Sequence, residues 1–138
     1  MSLSSTTSTS STTTTGSAVV LVGRVLLSIL FILAGFGKLT AIGGTAQWFG
    51  SMDLPAPTVV AVLVGLLELF GGLAVLVGFY SRAAAIALAV FTIAASLVAH
   101  TDFSDMTQTL FFQKNLGIAG GFLILAVFGP GAYSINRR

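Results

Sequence analysis

The sequence predicts an all-α integral membrane protein, a four-helix bundle built of antiparallel up-down hairpins, and three observations lead there. Of its 138 residues, 55% are apolar and only 7% charged, against roughly 25% charged residues in soluble domains. The apolar residues gather into four segments, residues 18–37, 57–79, 83–99 and 110–129, each near the ~20 residues that a helix needs to cross hydrocarbon. The connections between them carry turn chemistry and the polar residues, and the one around Phe79, Tyr80, Ser81 and Arg82 is so short that its helices must lie antiparallel.

Residues 1–17, MSLSSTTSTSSTTTTGS, are nearly all Ser and Thr. They have almost nothing to bury against the entropy of ordering, so this tail is expected to be disordered and to precede one membrane domain over residues 18–138. It lacks the basic region of a secretory signal, so the first apolar segment reads as a retained anchor. The first connection, LTAIGGTAQWFGSMDLPAP, reads as an extramembrane loop with Trp48 at the interface. Pro57 suits a first helical turn, where its missing N–H is no loss. The acidic connection HTDFSDMTQ and the final GPG end the remaining helices.

Lys and Arg favour the cytoplasmic side of short loops. Arg82, Arg137 and Arg138 fall on one side and Asp53, Asp102 and Asp105 on the other, so both termini are expected in the cytoplasm.

Several function classes lose support at once. The chain has no cysteine and a single histidine, which removes thiol relays, cysteine-ligated clusters and a haem held between two of its own histidines. A net charge of +2 gives no nucleic-acid footprint. No phosphate-binding glycine motif is present. HTDFSD has too few ligands for a metal site, and no covalent cofactor or autonomous catalytic motif is expected. Four helices of this size enclose too little space for a pore without oligomers.

The polar residues inside the spans carry what chemistry there is. Arg24, Ser28, Phe31, Gly35 and Lys38 share one face of the first helix. Gly65, Glu68 and Gly72 form a stripe on the second helix, where small residues admit a neighbouring backbone; Gly117 and Gly121 offer the same on the fourth. Thr92 and Ser96 lead along the third helix towards His100. An isolated charge at mid-membrane costs about 2.5–3.5 kcal/mol on the insertion scale, so Glu68 must be paired or protonated. Counting 1.5 Å per residue from the expected helix ends places Arg24 and Glu68 about 7 Å apart in depth, and Lys38 nearly twice as far. Arg24 is therefore the expected partner of Glu68. Whether the pair is a strut fixing helix register or a site that moves protons or binds a head group such as a quinone stays open. At the outer end Lys38, Trp48, His100, Lys114 and Asn115 form a second polar cluster, with Asp102 and Asp105 close by.

The pattern GRVLLSILFILAGFGKL, LPAP, GLLELFGGLAVLVGFYSRAAA, a helix ending in AH, and QKNLGIAGGFLILAVFGPGAYSI resembles the DoxX family of small bacterial membrane proteins over residues 20–135. Asn136 stands where that family often has an acidic residue. The resemblance implies a four-helix protein of the bacterial inner (plasma) membrane, surrounded by lipid and linked to quinone-coupled redox complexes. It points to a non-autonomous membrane subunit or companion of such a complex, with quinone as the ligand and other membrane subunits, or further copies of itself, as partners. The alternative is a purely structural accessory or assembly subunit without chemistry.

Overall fold

In the computed structural model, which describes residues 13–138, the chain forms five helices and, among the described residues, no strand. They are α1 (Thr14–Thr40), α2 (Ile42–Ser51), α3 (Pro57–Val77), α4 (Ser81–Ala99) and α5 (Met106–Phe128). All except α2 are long and apolar enough to cross a membrane. Most of the expected disordered tail lies outside the described residues. Its last part is corrected: Thr14 to Ser17 belong to α1, because the Thr13 side chain accepts a hydrogen bond from Gly16 N at 3.0 Å and caps the first turn. The loop expected between the first two spans is corrected too. Gly43 and Gly44 lie inside α2, and only residues 52–56 turn the chain, with Asp53 and Ala56 at positive φ.

The long helices pair as α1 with α3 and α4 with α5; the two pairs meet through α3 and α4, and α2 rests on α3. The tightest contact is between α1 and α3. A Cβ built on Gly35 would stand 2.7 Å from the Gly65 carbonyl oxygen and against the Leu69 backbone. One on Gly72 would stand 2.9 Å from Ile32 and 3.2 Å from the Ser28 carbonyl. Glycine on both sides lets the two backbones touch, as in membrane helix pairs whose association rests on close packing. Gly65 and Gly72 thus lie at a helix interface. On the fourth span the two glycines differ: a Cβ on Gly121 would meet Leu27 of α1 at an ordinary 3.4 Å, whereas the expected packing role of Gly117 is corrected, since nothing lies within 4 Å of a Cβ there. The core between the pairs holds Phe31, Val75, Leu88 and Phe122, with Phe31 and Phe122 edge to face at 5.3 Å. Large apolar residues such as Leu26, Leu33, Phe70, Val90 and Ile124 face outward, as a lipid-facing surface requires.

Register sets the rest. With Gly35 opposite Gly65 and Leu69, α1 stops about 8 Å short of the start of α3 and overhangs its other end by about 17 Å. The overhang is covered by the segment after α5, where Ala132 N donates to buried Ser17 Oγ at 3.2 Å. The same segment donates Ile135 N to the Val77 carbonyl and Asn136 N to that of Gly78, each at 3.1 Å. Asn136 Oδ1 accepts from Tyr80 N at 2.9 Å, so the end of α3 and the start of α4 are satisfied by one strap.

Gly35→Ala should therefore lower stability by about 1–3 kcal/mol, since neither backbone can move away cheaply. Gly117→Ala, in open space, should be neutral or stabilising by up to about 1 kcal/mol. Thermal unfolding of both variants in the same detergent checks the contrast.

Candidate functional site

Arg24 is 1% exposed and lies far from any carboxylate pairing. Its Nε donates to the Val75 carbonyl at 2.9 Å and its Nη2 to that of Leu76 at 2.7 Å. Its Nη1 donates to the carbonyls of Pro130 at 3.0 Å and Tyr133 at 2.6 Å. Val75 and Leu76 sit in the last turn of α3, whose carbonyls lack intrahelical donors and carry the negative end of the helix dipole. The guanidinium fork supplies what that turn needs. Arg82 does the same for α5, where its Nη1 donates to the carbonyls of Ala126 at 3.2 Å and of Val127.

The expected Arg24–Glu68 pair is thus corrected. Glu68 meets Lys38, with Nζ 2.8 Å from Oε1. The reason is the register of α1. Because the helix begins at Thr14 and overhangs α3, Arg24 is level with the end of α3, about 15 Å from Glu68 along the axis. The same shift carries Lys38 inward, beneath α2, so that its stem reaches the carboxylate. Apart from that pair, Oε1 has no hydrogen-bond partner among the described residues.

Above the pair lies a cavity of about 500 Å³ between α1, α3, α4 and α5, closed at its side by α2. Lys38, Trp48, Glu68, His100, Lys114 and Asn115 all line it, so the outer polar cluster and the buried carboxylate belong to one space. Most of the remaining wall is apolar, including Phe31, Val64, Phe91 and Ile118. Asn115 Nδ2 donates to Ser96 Oγ at 2.8 Å, and Ser96 Oγ donates to the Thr92 carbonyl at 2.9 Å. His100 stacks on Phe111 at 5.2 Å, with Lys114 Nζ 4.6 Å from the same ring. His100 Nδ1 is buried without a hydrogen-bond partner among the described residues. Burial first, and the Lys114 charge second, hold its imidazole below the ordinary value, so it is neutral at pH 7. Asp102 and Asp105 do not join the cavity. Asp102 Oδ1 accepts from Ser104 N at 3.2 Å, and Asp105 caps α5 by accepting from Thr107 N at 2.9 Å. The cavity has the shape of a small-ligand site, apolar with a few convergent polar groups. Sequence spacing does not show it, because the Gly-rich stretch that forms the α2 wall carries loop signals rather than an apolar period.

A double-mutant cycle checks the pairing. Lys38→Met and Glu68→Gln should couple by about 1–3 kcal/mol, whereas Arg24→Met and Glu68→Gln should add within about 0.5 kcal/mol. The histidine makes a separate prediction. The folded state holds the His100 proton more weakly than the unfolded chain, whose ordinary value is 6.5. Its contribution to stability is therefore complete above that pH and lost as the pH falls below it. Melting curves between pH 8 and 5, roughly spanning the His range, should slope less for His100→Gln than for the unaltered protein.

The DoxX family profile matches residues 19–101. Inner membrane protein YqjF of Escherichia coli (strain K12) is 49% identical over 118 residues, 86% of this chain and 89% of its own length. Inner membrane protein YphA of the same strain is 32% identical over 126 residues, 87% and 89% of the two chains. CatD of Bacillus subtilis (strain 168), provisionally named an oxidoreductase, is 35% identical over 72 residues, 52% of each chain. No solved structure matches. With four apolar spans and these inner-membrane relatives, the chain belongs to the DoxX family.

Proposed function

We propose that the cavity receives the polar head group of a membrane-borne quinone, and that the chain serves as a membrane subunit or companion of a quinone-linked redox or electron-transport complex. The observation that carries this reading is the cavity itself: a mostly apolar space of about 500 Å³ with an ammonium–carboxylate pair at its floor. A quinone carbonyl can accept a hydrogen bond from Lys38 while Glu68 balances the charge, and the aromatic and aliphatic walls suit a flat apolar ring. The provisional name of CatD points to the same class of chemistry. In this reading the strap end, with Arg82, Arg137 and Arg138, faces the cytoplasm with both termini, and the cavity opens towards the outer side of the inner membrane.

The test is extraction from the native membrane in mild detergent, followed by mass spectrometry of the intact particle and of its quinones. Quinone should accompany the unaltered chain and be lost when Lys38→Met and Glu68→Gln are combined, a pair of changes that leaves no charge buried alone. A stable assembly with other membrane subunits but no quinone in either form would instead establish a purely structural accessory subunit.

A further inference from the structure

The charges around the cavity do not cancel. Its lining holds two ammonium groups, Lys38 and Lys114, one carboxylate, Glu68, and the imidazole of His100. Glu68 balances Lys38 at 2.8 Å. Lys114 makes no ion pair among the described residues. Its Nζ is folded over the Phe111 ring, on the wall where that ring stacks with His100. The contacts of Gly35 with Gly65, Gly71 with Leu88 and Asn115 with Ser96 put Lys38 and Lys114, on opposite pairs of helices, within about one helical turn of the same height. Both ammoniums thus border the same cavity at similar height. Asn115 is already engaged with Ser96, while His100 keeps a buried Nδ1 without a partner.

We infer that the cavity prefers an amphiphile with an acidic head group, a carboxylate with an apolar body, over a neutral or cationic one of the same size. The inference takes from the proposed function only that the cavity is a ligand site; a quinone head group is neutral, so an acidic amphiphile is a further class of ligand that competes with it for Lys38. The carboxylate sits between Lys114, which is exposed at the rim, and the half-buried Lys38, where charge-assisted hydrogen bonds form, the one to Lys38 the stronger for its apolar surroundings. The chain of the ligand lies along Phe31, Phe91 and Ile118. Glu68 competes with the ligand for Lys38, so it sets the affinity from below.

Trp48, the sole tryptophan, lines the cavity and reports on it directly. The purified full chain in non-ionic detergent is titrated with octanoate, octanol and octylammonium while Trp48 emission is followed. Octanoate should bind at least about tenfold more tightly than octanol, and Lys114→Met should remove that advantage. Glu68→Gln, which frees Lys38, should tighten octanoate binding several-fold. Equal binding of octanoate and octanol, or octanoate binding untouched by Lys114→Met in a variant that keeps its helical circular dichroism, overturns the inference. If quinone accompanies the chain yet octanoate gains nothing, only the charge preference fails. If quinone is absent and no amphiphile perturbs Trp48, the ligand site itself fails. Repeating the titration with oleate dissolved in phosphatidylcholine nanodiscs tells an acid arriving from the bilayer from one arriving from water.

Discussion

One buried guanidinium organises this molecule. Arg24 lies in a low-dielectric interior and, among the described residues, pairs with no anion, a position that would be costly if its donors were unmet. They are met by carbonyls from the last turn of α3 and from the segment after α5. The same bonds serve both sides. A helix end buried in a membrane protein has carbonyls that water cannot reach, and Arg24 removes that cost while the dipole of α3 removes its own. Three parts of the chain remote in sequence are fixed to each other by one side chain. The strap then completes the closure through backbone bonds to α3 and α4.

From that anchor the register of α1 on α3 follows, and from the register follows the cavity. Once Arg24 is held at the end of α3, the glycine contacts at Gly35, Gly65 and Gly72 leave α1 only one way to lie. It then ends short of α3 at the far side. The missing length is made up by α2, too short to cross a membrane, which leans on α3 and leaves the space above the Lys38–Glu68 pair. The bundle is thus closed by hydrogen bonds at one end and hollow at the other.

Much of this was legible in residue order, and the failures share a cause. The four spans show in hydropathy, and the face of the first helix that turns inward shows in the three-and-four spacing of Arg24, Ser28, Phe31 and Gly35. What spacing cannot give is the offset between helices. Hydropathy edges put the ends of α1 and α3 at one depth, but Thr13 starts α1 earlier than its apolar run does, so Glu68 meets Lys38 rather than Arg24. The signal that existed lay elsewhere. An arginine on a glycine-contacting face can be satisfied by the carbonyls of a neighbouring helix's last turn as well as by an acid. The two glycines opening α2 masked a helix because glycine carries a turn signal regardless of context.

The two interior cations solve the same problem in different ways, and the difference assigns their roles. Arg24 is neutralised by many fixed dipoles, none of which can gain or lose a proton, so its site is rigid and chemically inert. Lys38 is neutralised by a single carboxylate that also lines a cavity, so in the proposed reading a ligand would exchange places with part of that interaction. Rigid closure at the first makes the second possible. A buried pair beside empty space would be a liability in a loosely held bundle, where helices could separate and admit water. Held by Arg24 and by glycine contact, α1 and α3 present Lys38 and Glu68 to the cavity at a fixed distance, the rigidity that the proposed ligand site would need.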